Sequence, residues 1–145
     1  MRAALVAVML LAASSAAEEP AKQGTLTVDV KTKSDKGLVR CALWKDAAGF
    51  PGEVKTKAST VRVVAPSITK GKATCVFPEV PAAKYVVTIL HDLNSNDELD
   101  KNKIGIPKEP LGFSNGARIL FGPPKYDDAE FAFDGADTTI AITVH

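Results

Sequence analysis

The stretch from His91 to Tyr126, HDLNSNDELDKNKIGIPKEPLGFSNGARILFGPPKY, constrains the fold more than any other part of the chain. It fills roughly a quarter of the sequence and shows neither the period-2 pattern of a strand nor the period-3.6 pattern of a helix. Gly, Pro, Asn and Asp punctuate it throughout, yet Ile104, Ile106, Leu111, Phe113, Ile119, Leu120 and Phe121 recur as anchors. A connection this long in a compact domain is functional or disordered. The anchors argue for an ordered excursion packed on a scaffold. Phe113, Ile119 and Phe121 are expected to pin it, between the backbone constraints of Gly105-Ile106-Pro107 and Gly122-Pro123-Pro124.

The scaffold can be read from the flanks. Thr25-Leu26-Thr27-Val28-Asp29-Val30-Lys31 alternates strictly, as a strand with one wet face does. Leu38 to Lys45 places Val39, Cys41 and Leu43 on one face and Trp44 on the other. Thr60 to Val64, Lys72 to Phe77 and Val86 to Leu90 follow. Glu53 to Ser59 is ambiguous between a helical turn and a loop. Beyond the excursion come Ala129 to Phe133 and Thr138 to Val144. About seven short strands with hardly any amphipathic helix predict an all-β fold, a single antiparallel β-sandwich of immunoglobulin-like or transthyretin-like type. Val28, Val30, Val39, Leu43, Phe77, Val87, Ile89, Phe131, Ile140 and Ile142 form the expected core by parity. The run V-P-A-A-K-Y-V-V-T-I resembles the strand entry of many extracellular sandwiches, in which the Tyr plugs a corner by bonding back to backbone. Tyr85 would do so here, with Ala83 in place of the usual Gly.

The N-terminus reads as a secretory signal over residues 1–17. Arg2 supplies the positive end, Ala3 to Ala13 a short apolar run, and Ser15-Ala16-Ala17 a small-residue cleavage site. The apolar run is about 11 residues, against roughly 20 for a membrane span. Residues 18–24 form a polar leader and 25–145 the sandwich domain, so the mature chain of about 128 residues is one domain in a secreted or periplasmic protein. The formal charge of +1 includes Arg2, and the mature part lacks any long basic tract. That argues against nucleic acid or an anionic membrane as the main partner. Cys41 and Cys75 are the only cysteines. Both share parity with inward apolar neighbours, and an even pair in a secreted chain reads as a disulfide. The alternative is two buried free thiols.

Asp92 to Asp100 matches the start of the calcium loop D-x-[DN]-x-[DN]-G-x-x-D. Calcium takes several hard oxygens at about 2.4 Å, and alternate side chains of a tight loop converge on one point. Asp92, Asn94, Asn96 and Asp100 would supply side chains and Glu98 its carbonyl. Asp97 stands where Gly makes the sharp turn, and Lys103 where a bidentate Glu would close the site. With so few carboxylates the affinity would fall at about 10⁻⁴ to 10⁻³ M. The alternative is a loop braced by Asx side chains bonding to their own backbone.

His91 can serve as a base or a metal ligand, or as a hydrogen-bonded structural residue at a strand end. Ser114 has no G-x-S-x-G context and no relay beyond His91 and Asp92, so no residue is assigned a catalytic role. Asp127, Asp128 and Glu130 read as a solvated acidic cap. The candidate functional loop carries His91, Glu109, Phe113, Ser114, Asn115, Arg118 and Tyr126.

Three ordered motifs, H-D-x-N-x-N-x-x-L-D, G-I-P-K-E-x-x-G-F-S-N-x-A-R and F-G-P-P-x-[FY]-x-x-A-x-F, resemble a family of small secreted bacterial proteins of uncharacterised function. The resemblance covers His91 to Phe133 and extends upstream through the V-P-A-x-K-Y strand. It departs at Asp97, where the family has Gly. It implies fold and secretion and lends no activity. The functional expectation is a non-catalytic binding or structural module with a protein, small-molecule or carbohydrate ligand. A small hydrolase-like enzyme using the His91/Asp92 region is the alternative. The direction in which His91 points separates them: a pocket shared with Asp92 and Arg118 favours chemistry.

Overall fold

A computed structural model describes residues 16–51 and 61–145. The expected signal cleavage region begins outside the described residues, as does the ambiguous stretch after Gly52. The described strands are β1 (Gln23–Lys31), β2 (Leu38–Trp44), β3 (Val61–Val64), β4 (Lys72–Pro81), β5 (Ala83–Asp92), β6 (Leu111–Phe113), β7 (Phe131–Phe133) and β8 (Thr138–Thr143). Among the described residues the helical content is one short helix, α1 (Tyr126–Ala129), and a 3-10 turn at Ser114–Gly116. β1 starts two residues inside the expected leader, and β6 is a strand that periodicity did not reveal, because three residues are too few to alternate.

Two sheets result. One runs β4-β1-β8, the other β3-β2-β5-β6, with β7 pairing the start of β5. Every pairing is antiparallel except β1–β8, which is parallel. No hairpin links the first strand to the last, so nothing forces them to run in opposite senses.

The pleat sends alternate residues of each strand to opposite faces. Leu26, Val28 and Val30 meet Val39, Cys41, Leu43, Cys75, Phe77, Val87, Ile89 and Ile142 in one core between the sheets. Phe131 and Ile140 pack against it half-buried, and Phe133 takes the deeper place. A Cys41–Cys75 disulfide joins β2 to β4 across the core, with Cα atoms 6.4 Å apart. The Tyr85 hydroxyl donates to the Pro81 carbonyl at 2.9 Å, the corner bond expected of that residue.

The sheets also meet at one side. His145 N donates to Leu111 O at 3.0 Å and Val144 N to Lys31 O at 3.1 Å, so the chain end bridges β6 to the three-stranded sheet. Gly112 permits this approach: a Cβ there would stand 2.8 Å from Ile142 Cγ2.

The outer face of the β2–β5–β6 sheet is covered as well. Ala42, Trp44, Val86, Phe113 and Ala129 form a second apolar cluster, against which Phe50, Leu111, Ala117 and Tyr126 pack. Phe50 stands edge-on between the rings of Trp44, at 5.5 Å, and Tyr126, at 5.3 Å. The excursion that leaves β5 at Asp92 thus returns across the back of its own sheet.

Candidate functional site

His91 and Asp92 are adjacent at the end of β5, so their side chains leave opposite faces of the sheet. His91 turns inward and is 1% exposed. Its Nε2 lies 2.7 Å from the Lys36 carbonyl oxygen, an acceptor only, so Nε2 carries the proton. Nδ1 is buried without a partner. No solute reaches this ring. Gly37, at φ +74°, is what brings that turn close: a Cβ on it would lie 2.0 Å from the Asp92 carbonyl oxygen.

Asp92 turns outward into the root of the excursion and is fully buried there. Its carboxylate accepts from Asn96 N at 3.1 Å, Asp97 N at 2.9 Å and Arg40 Nε at 2.8 Å. Arg40 stands on the same face of β2, opposite Leu90 and one diagonal step from Asp92. Its Nη2 pairs with the Asp97 carboxylate. Asp97 itself adopts φ 67°, so an Asp fills the left-handed turn position and gains an ion pair that Gly could not make.

The rest of the turn closes on itself. Asn94 Nδ2 donates to Asp100 Oδ2 at 2.6 Å and Asn96 Nδ2 to Asp100 Oδ1 at 3.1 Å. Asn96 Oδ1 accepts from Glu98 N at 3.0 Å. Glu109 is a second hub, buried to 6% exposure, and accepts from Leu93 N at 2.8 Å and Asp100 N at 3.2 Å. It therefore clamps both ends of the Asp92–Asp100 turn.

A calcium ion would need the oxygens of Asp92, Asn94, Asn96 and Asp100 turned toward one point. Instead the two amides present their NH₂ groups to Asp100, and Asp92 faces backbone amides and Arg40. Among the described residues, no group of three or more His, Cys, Asp or Glu side chains is arranged to hold a metal. The loop is held in the braced form.

The remaining candidates separate. Ser114 is a staple: its hydroxyl accepts from Val87 N at 2.9 Å and donates to Ala129 O at 2.5 Å, so its proton points to a backbone carbonyl rather than to a base. Asn115 donates to the Asp128 carbonyl at 3.2 Å, and Phe113 is buried in the outer cluster. The Tyr126 hydroxyl donates to Trp44 O at 3.3 Å, and burial with the Glu130, Asp46 and Asp127 charges pushes its pKa up to about 12. Arg118 lies elsewhere, on an open cavity of about 280 Å³ at the seam with Phe113, Ala117, Ile142, Thr143 and His145.

Two expectations about the excursion fail. Phe113 pins it, but Ile119 is 40% exposed and Phe121 is 108% exposed, so neither does. Ile104 and Ile106 are exposed too. Tyr126 and Ala117 take over the anchoring, because the outer cluster around Trp44, with Phe50 packed beside it, offers them a surface. Arg40 was missed altogether. Its signal was present in its outward parity on β2, on the face shared with Asp92.

The fold and site define a two-sheet all-β protein whose long excursion is braced by the carboxylates of Asp92 and Glu109. The chain belongs to a family of uncharacterized proteins conserved in bacteria, DUF2141, whose model matches residues 27–141. No curated protein and no solved structure matches it significantly. Among the described residues, no helix is long and apolar enough to cross a membrane.

Proposed function

We propose that the protein is a secreted or periplasmic binding module without catalytic activity, in which an immunoglobulin-like or transthyretin-like sandwich displays the excursion as its contact surface. One contrast carries this reading. The groups with catalytic potential are taken up by folding: His91 is sealed in the core, Asp92 holds two amides and Arg40, and Ser114 bonds in both directions. The large apolar side chains of Ile119, Leu120 and Phe121 stand in water instead. A hydrolase reading would need His91 and Asp92 on one face, and strand alternation puts them on two. The Cys41–Cys75 bridge suits an oxidising compartment.

A display surface differs from a scaffold in what its removal does to stability. The triple variant I119S/L120S/F121S should keep the wild-type stability within about 0.5 kcal/mol, as exposed substitutions do. Urea denaturation followed by circular dichroism measures this. A loss above about 2 kcal/mol would mean that the tip packs on the sandwich, and the display reading would fall.

A further inference from the structure

Among the described residues, one sheet ends at β4 and β8 and the other at β3 and β6. Three of these edges are blunted as natural edges are, by interruption, charge, shortness or cover. β4 is broken at Pro78 and at Glu79, φ 53°, whose carbonyls accept from Arg62 at 2.6 and 3.2 Å. β3 has only four residues, Arg62 among them. β6 has three and is covered by His145. β8 differs: Thr138–Thr143 carries no charge, no Pro and no Gly.

The pairing of β8 shows which of its backbone groups are free. Val144 N donates to Lys31 O at 3.1 Å on the β1 side, and successive strand residues turn their N–H and C=O to opposite sides. Ile140 and Ile142 therefore face β1, while Thr139, Ala141 and Thr143 direct theirs away from it. Among the described residues only β1 pairs with β8. Beside this edge lies the seam cavity of about 280 Å³, which Ala141 and Thr143 line together with Ala117 and Arg118. Its lining holds no acidic side chain. Arg118 is exposed and makes no ion pair among the described residues. His145, also on the cavity, has its backbone oxygen bound by Leu111 N at 3.3 Å.

We infer that the β8 edge takes an extended acidic peptide as an added strand, its backbone pairing with Thr139, Ala141 and Thr143 and one carboxylate meeting Arg118. The site differs from the exposed tip and goes beyond the display reading. Two features select this ligand. The edge offers donors and acceptors in strand register, which a peptide backbone matches and a small anion leaves half unmet. The unpaired guanidinium, in a lining without acids, complements a carboxylate. A second copy fits less well. Its own Thr138–Thr143 would bring no acid to Arg118, and a pair of six-residue strands is small against the roughly 1,000 Å² of a lasting interface.

The test is amide NMR of the full protein titrated with a synthetic peptide in which threonine and valine alternate before a final glutamate, acetylated and amidated at its ends. Shift changes should centre on Thr139, Ala141 and Thr143, and exchange of those three amides with solvent should slow. The peptide with glutamine in place of glutamate should bind about two- to fivefold more weakly, the usual contribution of an exposed ion pair, and R118Q should lose as much. Ala141→Pro removes an outward amide and spares the β1 ladder, as proline at an edge does, so it should fold and lose binding. A fully N-methylated peptide should fail on wild-type protein, and it decides the pairing if the proline variant does not fold. No wild-type shift, shifts centred on Ile119, Leu120 and Phe121, or undiminished binding after either backbone change would overturn the edge assignment. Unchanged affinity for the glutamine peptide and in R118Q would overturn the carboxylate. A dimer seen by sedimentation without peptide and lost in Ala141→Pro would give the edge to a second copy instead.

Discussion

Asp92→Ala removes from the root of the excursion a fully buried carboxylate that accepts hydrogen bonds from Asn96 N, Asp97 N and Arg40 Nε. Hydrogen bonds to a charged group contribute about 1.5–3 kcal/mol each, so a simple sum would reach roughly 4.5–9 kcal/mol. Two features lower it. Asn96 N also reaches Asn94 Oδ1 at 3.3 Å, so it keeps an acceptor. Arg40 retains Asp97 and has a partly exposed side chain, so it is not left as an isolated buried charge. What remains is one orphaned amide and a broken ion pair, which places the loss near the lower end of the about 3–5 kcal/mol seen when a buried pair is broken. For a domain of this size, about 3 kcal/mol lowers the melting temperature by roughly 10 °C. Thermal and urea unfolding followed by far-UV circular dichroism read both quantities. Asp127→Ala, at an exposed position on α1, is the control and should stay within about 0.5 kcal/mol of wild type. An Asp92→Ala loss below about 1 kcal/mol would refute the bracing, because the excursion would then be held by its apolar contacts alone.

The other predictions concern the metal, the bridge and alkaline pH. Millimolar calcium should leave the wild-type melting curve unmoved; a rise that Asp92→Ala and Asp100→Ala each abolish would restore the calcium loop, at about 2.7 kcal/mol for a concentration 100 times the dissociation constant. Intact mass with and without reductant should differ by two hydrogens for the Cys41–Cys75 bridge, and its loss should cost about 3–4 kcal/mol. The Tyr126 pKa is raised to about 12 from 10.0, so the unfolded chain loses this proton first. Its share of stability is complete below pH 10.0 and disappears as pH rises through about 12. Tyr126→Phe should therefore flatten the fall in stability over that window, and an unchanged slope would show that the phenol is not sheltered by the Trp44–Phe50 surface.

By itself the sequence determined the sandwich and its inward faces. Val28, Val30, Val39, Cys41, Leu43, Cys75, Phe77, Val87 and Ile89 could be placed by parity, because alternation is a local consequence of the pleat and one buried face suffices to display it. The Tyr85 corner and the matching orientation of the two cysteines were legible for the same reason; the split between His91 and Asp92 was not, because the apolar run that marks the strand stops at Leu90 and β5 runs on to Asp92. The loop's Asx-rich turn was also legible as a turn, since Asp92, Asn94 and Asn96 bond to amides only a few positions away. Only the tertiary structure decided what lies beneath the excursion. Whether Phe113 or Phe121 is buried depends on the outer face of β2 and β5 passing under one and not the other, and no periodicity within an irregular segment records that. The pairing of Arg40 with Asp92 joins residues 52 positions apart, β6 is too short to alternate, and β8 lies parallel to β1 through a crossover. Each of these is fixed by the register between strands and the surface they build together, which a chain acquires only when it closes on itself.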